Sequence, residues 1–448
     1  MWCSPGFGLI DTWLPVIKKL KENNKIRIDF VFPEPSSLIL EDKNSDLFKL
    51  AEQFADRVLY RSGSGRWFVK DTLIEARNSL KISEFEKKLL FFSYRLKKGK
   101  ASRYPLAKVI SKCILSAYTY ALRIQEGFEL EYLYDINLFN EIDGVLCDIT
   151  AEGKFVNETL RGKLRNVTKF SMLHGLEAVW MNKNFLCKKT VKKRSDIVVY
   201  SNSYLEFDGY KRCFGVLKNS ISHVGIVRHD KDWIRFLCDN LKEENTGELF
   251  DSFVLIIGSP ASPHNPPERK RKVLRNIYDI AYVKYGIKLV IKPHPKEDRY
   301  GFDGDIYSNA LNIENYGKAW MYSDKNPFIL GKKVVFVCTF GSGVSLDMLF
   351  INKPTIDCAD LRGLELYDTE SSLRNESGNP VFGNSYAKFT LNACSRPELE
   401  LHVKSILTKY EETVELLRSN YDSYFGVFNG SSGIVANDIC RRVYADKL

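Results

Sequence analysis

The chain has 448 residues, 44% hydrophobic and 27% charged, which is a globular composition too long for one ordinary domain. No apolar run reaches the roughly 18 residues of a membrane span, and residues 1–20 lack the features of a signal peptide, so we expect a soluble protein that is not secreted. The formal net charge of +10 favours an anionic partner, such as a lipid surface, a nucleotide or a charged glycan.

The ten cysteines are scattered without a Cys-x-x-Cys pair, and most of them lie in apolar stretches. This pattern predicts buried free thiols in a reducing compartment, and it argues against a disulfide framework or a zinc site. The basic residues form separate clusters. For any single cluster, a solvated surface without a partner is the simpler interpretation. Because no nucleic-acid-binding module is visible, a nucleic-acid partner is not expected.

The chain opens with a glycine-containing segment that leads into a helix. Gly6-Phe7-Gly8 precedes an amphipathic stretch at 13–20, and residues 26–32 have the pattern of a strand. A glycine turn entering a helix, followed by a strand, is typical of an α/β domain that binds a nucleotide or a sugar. The strand before this turn would be only 1–4, so either it is very short or the natural start lies upstream.

Residues 71–125 are charged and helical in period, with breaks near Gly99 and Pro105 and many aromatic side chains. We interpret them as a helical insertion in the first domain. Two roles fit this insertion. It either covers a sheet, or it contacts a bulky acceptor or a lipid surface.

Strands alternate with polar loops and helices along the rest of the chain. In the first half they are predicted at 142–149, 170–173 and 196–201, and in the second half at 253–257, 288–291, 333–338 and 354–357. Helices are predicted at 268–285, 398–418 and 434–444. We therefore predict an α/β fold with two Rossmann-like domains, 1–244 and 245–448, that face each other across a cleft. The last helix is expected to cross back onto the first domain.

Three loops of the second domain carry residues that suit a phosphate. These residues are Gly258 and Ser259 after one strand, Lys292, His294 and Pro295 after the next, and Gly341, Ser342, Gly343 and Ser345 where a third strand enters a helix. Such loops should converge, because ligands bind outside the carboxyl ends of parallel strands. Free N–H groups at a helix start favour an anion. The alternative is a rigid proline loop with a solvated lysine, and serines that only cap a helix. P-loop and dinucleotide fingerprints are absent from the sequence.

The Lys-Pro-His-Pro stretch at 292–295, the Ser/Gly loop at 341–345 and the His-Gly pair at 174–175 together resemble bacterial GT-B glycosyltransferases of surface-polysaccharide assembly. The resemblance is nearest to Kdo transferases and polysialyltransferases, which use cytidine-nucleotide donors. Teichoic-acid polymerases that use CDP-glycerol have a similar His-Pro stretch. The resemblance covers the two-domain layout and implies a GT-B fold. It also implies that His294, Ser342 and Ser345 contact the donor nucleotide, with Lys292 as a further candidate.

Four carboxylates of the first domain are candidates for the base that deprotonates the acceptor in an inverting transfer. Asp148, at a predicted strand end, is the first choice, followed by Asp143, Asp11 and Glu152. Each of them could instead be a solvated loop acid or a helix cap. His174 is a candidate contact to the acceptor or to phosphate, and the alternative is that it packs on Trp180.

The resemblance loosely supports two of these carboxylates. Asp143 lies in Glu141-Ile142-Asp143-Gly144, which matches the acidic pair before a glycine in polysialyltransferases except for the intervening Ile142. Asp11 lies beyond the first glycine turn, where lipid A Kdo transferases place a carboxylate.

The expected function is that of a metal-independent inverting glycosyltransferase without a cofactor. It would move a CMP-activated acidic sugar, Kdo or sialic acid, onto a lipid-linked or growing surface glycan. The expected location is the cytoplasm, peripherally on the anionic inner face of the plasma membrane. The alternatives are a CDP-glycerol or CDP-ribitol phosphotransferase, a transferase for UDP- or GDP-sugars, and a non-catalytic scaffold that binds a nucleotide or glycan.

Overall fold

A computed structural model describes residues 7–23, 26–33, 45–61, 67–79, 89, 92–93, 96, 104–128, 141–148, 164, 166–173, 191–241, 250–297, 299 and 301–445. Its helices are α1 (Phe7–Asn23), α2 (Ser45–Phe54), α3 (Leu73–Ser79), α4 (Pro105–Phe128), α5 (Glu206–Phe214), α6 (Lys231–Asn240), α7 (Pro267–Ile277), α8 (Phe302–Leu311), α9 (Pro327–Leu330), α10 (Val344–Phe350), α11 (Gly383–Tyr386), α12 (Arg396–Thr408), α13 (Tyr410–Phe425) and α14 (Ser431–Ala445). Among these described helices, none is both long and apolar enough to cross a membrane.

The strands are β1 (Asp29–Phe32), β2 (Arg57–Arg61), β3 (Trp67–Lys70), β4 (Gly144–Cys147), β5 (Thr168–Ser171), β6 (Ile197–Ser201), β7 (Ile221–His223), β8 (Phe253–Ile257), β9 (Lys288–Lys292), β10 (Trp320–Tyr322), β11 (Val334–Thr339), β12 (Thr355–Asp357) and β13 (Leu391–Asn392). Every described strand pair is parallel except β2–β3. The α/β fold with parallel sheets that the sequence predicts is therefore confirmed.

The first domain contains two sheets that share a core. One has the order β1-β2-β3 and the other β4-β5-β6-β7. Val31 and Leu59 of the first sheet pack against Val145 and Cys147 of the second. On the opposite face, α1 buries an apolar stripe against both sheets, as expected for a helix whose apolar residues recur every three or four positions.

The second domain is built on one six-stranded sheet with the order β10-β9-β8-β11-β12-β13. Its central strands β8 and β9 carry continuous apolar runs, Phe253–Ile257 and 289–291, and all of these side chains are buried. Parallel strands covered on both faces have this composition, which explains why the sequence located them.

The helix α14 returns to the first domain, as predicted. Its side chains Val435, Ala436 and Ile439 are buried in the same cluster as Trp13 and Leu14 of α1. Tyr200 at the end of β6 donates a hydrogen bond to Asp438, at 2.9 Å. The core of the first domain therefore includes a helix that follows the second domain in the chain.

The predicted helix at 268–285 is confirmed, as an α-helix over Pro267–Ile277 that continues as a π-helix over Tyr278–Lys284. Other local predictions were wrong. The predicted helix at 398–418 is interrupted at Lys409, which has the extended φ of −139°. The short strands β3, β7, β10 and β13, of two to four residues, were missed.

Two other expectations concern cysteines and the domain boundary. Seven of the described cysteines are free thiols, but Cys213 is disulfide-bonded, so the expectation of free thiols throughout is wrong there. The predicted boundary at 244/245 lies outside the described residues. It stays a prediction, as does the extent of the helical insertion, of which α3 and α4 are described.

Candidate functional site

Three predicted phosphate loops lie side by side at one edge of the second sheet. They follow β9, β8 and β11, which are neighbours in the strand order, and parallel strands end at the same edge. The Gly258 N–H donates to the Lys292 carbonyl at 2.8 Å, so the first two loops are in direct contact. The structure thus brings the three loops together, while the role of each residue remains a prediction.

The loop 293–297 holds the His294 ring in one orientation. The Lys296 N–H donates to His294 Nδ1 at 3.0 Å, and the Glu297 N–H donates to the His294 carbonyl at 2.8 Å. Since Nδ1 accepts a hydrogen bond, the neutral ring carries its proton on Nε2. Pro293 and Pro295 restrict the backbone on both sides. A rigid ring that presents an N–H is suited to an anionic ligand.

Lys292 lies at the end of β9 and is oriented towards the first domain. Its ammonium group donates to the Asp324 carbonyl at 3.0 Å. Burial lowers the pKa of Lys292, and the carboxylates of Asp324, Asp46 and Asp11 oppose that shift. Two of these carboxylates belong to the first domain. Lys292 is therefore a cation at the boundary of the two domains.

The Ser/Gly loop after β11 is shaped by its own hydrogen bonds. Gly341 has a φ of +77°, and a Cβ there would lie 2.4 Å from the Phe382 ring. Ser345 is fully buried, and its hydroxyl donates to the Ser342 carbonyl and accepts from Asn384, both at 2.8 Å. Ser345 therefore supports the loop in this structure, whereas Ser342 is only half-buried.

The four candidate carboxylates do not lie together. Asp148 follows the carboxyl end of β4 and is buried, next to α1, whose Trp13 donates to the Cys147 carbonyl at 3.2 Å. Asp143 precedes the same strand and is exposed at its opposite end, so the structure does not bring it to the predicted cleft. Glu152 and His174 lie outside the described residues.

Asp11 is the candidate carboxylate that interacts with the second domain. It lies on α1, and its charge interacts with those of Arg228, Asp347 and Lys292. Burial raises the pKa of Asp11 from 3.8 to about 6, against the opposing effect of Arg228. No hydrogen bond or salt bridge joins Asp11 to another residue that the structure describes. A partly buried carboxylate with a raised pKa and no hydrogen-bond partner marks a functional candidate.

A buried polar cluster beside Asp11, which we call the junction cluster, was not found from the sequence. Asp347 Oδ1 accepts from Arg228 Nε at 2.7 Å and from His229 Nε2 at 2.8 Å, and His229 Nδ1 accepts from the Tyr421 hydroxyl. Burial lowers the pKa of His229, so its ring is neutral at pH 7. Burial alone would raise the pKa of Asp347, but Arg228 and His229 lower it. The junction cluster joins the end of the first domain to α10 and α13.

The sequence does contain a signal for the junction cluster. Asp347 is the one charge in the apolar run Val344–Phe350, and Arg228 and His229 open a run of five consecutive ionisable residues, 228–232, after an apolar segment. A charge inside an apolar helix run requires a buried partner. Such a partner could have been sought, but its position in the sequence could not be deduced.

The fold, two Rossmann-like domains facing across a cleft, is GT-B. The chain is similar to the solved structure of UDP-GlcNAc 2-epimerase from Neisseria meningitidis bound to UDP-GlcNAc, with a TM-score of 0.53 and 11% identity over 97% of this chain and 96% of that chain. It is also similar to a putative UDP-N-acetylglucosamine 2-epimerase from Listeria monocytogenes, with a TM-score of 0.53 and 11% identity over 100% and 96%.

A third similar structure is the S. aureus MnaA–UDP co-structure, with a TM-score of 0.52 and 10% identity over 99% of this chain and 95% of that chain. At such identities the likeness shows the fold alone. No protein-family model matches the sequence. No curated protein matches it either.

Proposed function

We propose that this protein is a glycosyltransferase that binds a nucleotide sugar in the cleft and transfers the sugar to a hydroxyl acceptor with inversion. The observation that carries the proposal is the position of Asp11, a carboxylate of the first domain that interacts across the cleft with Lys292 of the second. A base on one side and a cation on the other are the two groups that such a transfer needs.

In the proposed reaction, Asp11 accepts the proton of the acceptor hydroxyl as its oxygen attacks the anomeric carbon. The bond from that carbon to the nucleotide's phosphate oxygen breaks, and its electron pair leaves with the phosphate. The ammonium of Lys292 and the N–H of His294 stabilise the charge that develops there. Gly258 and Gly341 let the backbone approach the donor, and Ser342 contacts its phosphate. Asp148, which we ranked first from the sequence, becomes the second candidate for the base.

Two lines of support point to different donor nucleotides. The resemblance of the loops at 292–295 and 341–345 favours a CMP-activated acidic sugar, Kdo or sialic acid. The ligands named for the structural neighbours, UDP-GlcNAc and UDP, favour a UDP-sugar and make a UDP-sugar enzyme such as a 2-epimerase the second candidate. An epimerase would convert the donor without any acceptor, so the product distinguishes the two functions.

We propose a lipid-linked or growing surface glycan as the acceptor, bound at an anionic membrane face. Helix α4 supports this partner, because it exposes Leu106, Val109 and Tyr120 together with the cations Lys108 and Lys112. Apolar and cationic side chains on one helix are typical of binding at a membrane surface.

Nucleotide binding tests the proposal directly. CMP, CDP, UDP and GDP are compared by thermal shift, since a ligand that binds only the folded state raises the melting temperature. We expect one of them to stabilise the protein. Lys292→Ala is expected to weaken that nucleotide at least about tenfold, because it removes the cation that faces the phosphate.

Lys288→Ala is the matched control, because Lys288 lies at the other end of the same strand and is exposed. It should bind as the wild type does. The proposal is wrong if none of the four nucleotides raises the melting temperature, or if both lysine variants bind equally well. Product mass then separates sugar transfer from polyol-phosphate transfer. An epimer has the same mass as the donor, so proton NMR of the donor sugar detects epimerisation, and a scaffold would leave the donor unchanged.

A further inference from the structure

Glu297 is a buried carboxylate beneath the loop that carries His294. Its side chain is 1% exposed. Glu297 Oε2 accepts from the His294 N–H at 2.6 Å, and Oε1 accepts from Lys270 Nζ at 2.6 Å and from the Tyr307 hydroxyl at 2.8 Å. One carboxylate therefore connects the loop after β9 with α7 and α8.

The ion pair of Glu297 and Lys270 lies entirely in the interior. Lys270 is 0% exposed, and its ammonium group also lies 3.3 Å from Asp303 Oδ1. Removing two charges from water is costly, and an apolar pair of similar size is often as stable or more stable. Stability alone therefore gives little reason for charged groups here. The ion pair instead fixes the Glu297 carboxylate as a hydrogen-bond acceptor for the loop 293–297.

The contact with Glu297 closes the loop into a ring. Pro293 and Pro295 have no N–H, so His294 supplies the one backbone donor in 293–295. That donor reaches Glu297 Oε2, while the Glu297 N–H returns to the His294 carbonyl at 2.8 Å. These two hydrogen bonds fix the backbone of the loop. The Lys296 N–H, which belongs to this backbone, then orients the imidazole of His294.

Gly258 completes the arrangement from the neighbouring loop. A Cβ at Gly258 would lie 2.2 Å from Glu297 Oε2 and 2.9 Å from the Tyr307 hydroxyl. Any side chain at 258 would displace the carboxylate. Because Gly258 has no side chain, Glu297 can remain within hydrogen-bonding distance of the His294 N–H.

We propose that Glu297, with Lys270 as its counter-ion, is a positioning residue that sets the orientation of His294 for the phosphate of a nucleotide. This inference rests on the proposed function of the loop. The inference adds that Glu297, which does not contact the nucleotide, controls nucleotide affinity through the backbone of His294.

The test uses the full chain with CMP and UDP as probes. Glu297→Gln keeps the shape but cannot accept from both His294 and Lys270 as a carboxylate does. We expect the Kd of the bound nucleotide to rise at least about tenfold. Amide hydrogen exchange at His294 should accelerate by a similar factor, because its acceptor is weakened.

A second variant separates positioning from folding. Lys270→Met combined with Glu297→Gln removes both charges, so the melting temperature should recover towards that of the wild type. If Glu297 positions His294, the Kd and the His294 exchange rate of this double variant stay raised. If the pair is merely structural, both return to wild-type values with the melting temperature, and the inference fails.

Glu268→Gln is the matched control, because Glu268 lies on α7 and its side chain is 84% exposed. It should change neither quantity. Unchanged exchange at His294 in Glu297→Gln overturns the inference whether or not a nucleotide binds. If the wild type binds neither CMP nor UDP, the panel of four nucleotides decides the proposed function, and the exchange rate alone still decides whether Glu297 holds the loop.

Discussion

At the scale of single residues, Asp11 shows what burial does to a carboxylate that has no hydrogen-bond partner among the residues described by the structure. Its pKa is raised to about 6, so the proton is lost just below neutral pH. A general base is most effective when its pKa lies near the working pH. The neighbouring cations Lys292 and Arg228 keep the group ionised at pH 7 despite its burial.

Asp11→Asn is predicted to slow the transfer step while leaving nucleotide binding intact. The rate should fall by about 10²- to 10⁴-fold, the usual contribution of a general base. In the wild type, kcat/KM should decrease below about pH 6, because protonated Asp11 cannot accept the acceptor's proton. The exposed Asp232→Asn serves as control in rate measurements across pH. A variant rate within twofold of wild type would exclude Asp11 as the base and favour Asp148.

The same substitution is predicted to stabilise the fold. The folded-state pKa of Asp11 lies above its ordinary value of 3.8, so the native state holds the proton more tightly than the unfolded chain does. Wild-type stability should therefore fall as pH rises from about 4 to about 6. Above pH 6, Asp11→Asn should be more stable by up to about 3 kcal/mol, as urea unfolding at pH 5 and pH 8 would show. Equal stability at both pH values would contradict this.

The positions of candidate residues were predictable from the sequence where they follow apolar strands. Lys292 and His294 were placed at a strand end because 289–291 is a continuous apolar run that ends at prolines, and their roles stay predictions. The positions of other residues were harder to predict. Arg228, His229 and Asp347 were not found, since their partnership depends on a contact across more than a hundred residues. A pattern with a period of two or 3.6 residues carries no information on such distances.

At the scale of elements, α14 is fixed at its start and along one face. The Asp230 carboxylate accepts from the backbone N–H groups of Ser431 and Ser432, at 2.8 and 2.7 Å, and so caps the helix from the first domain. Val435, Ala436 and Ile439 then enter the core beside α1. The sequence predicted the helix at 434–444 and its return to the first domain, but not which face of the helix is buried.

Ile439→Ala is predicted to destabilise the protein by about 2–5 kcal/mol, the usual cost of this truncation in a core. Ile439 is 4% exposed, whereas Ile434 on the same helix is 50% exposed. Ile434→Ala is therefore an internal control that should cost less than about 0.5 kcal/mol. The measurement is denaturant unfolding followed by tryptophan fluorescence. Similar losses in both variants would mean that α14 does not pack through this face.

At the scale of the whole molecule, the junction cluster connects the two domains through buried charge. Asp347 lies in α10, directly after the Ser/Gly loop, and Arg228 and His229 lie at the end of the first domain. The ion pair therefore ties the predicted phosphate loop to the domain that carries Asp11. The layout of two Rossmann-like domains was predictable from the order of strands and helices, and the GT-B fold was implied by the resemblance of short motifs, but this tie between the domains was not predicted.

Asp347→Asn is predicted to cost about 3–5 kcal/mol, because it leaves the guanidinium of Arg228 buried without its carboxylate. The variant should also show a larger radius of gyration in X-ray scattering, as the domains separate. Asp232→Ala, which breaks the exposed pair with Arg235, is the comparison and should cost no more than about 1 kcal/mol. Unchanged scattering together with an unchanged unfolding midpoint would rule out this role.

The return of α14 also has a consequence for biosynthesis. The apolar stripe of α1 has no complete cover until residues 431–445 have been translated, so the domain made first is finished last. Apolar surface that waits for a distant segment is exposed to association with other nascent chains. Ribosome-bound intermediates halted before residue 431 should therefore recruit chaperones, whereas the full chain held on the ribosome by an added C-terminal linker long enough to clear the exit tunnel should not.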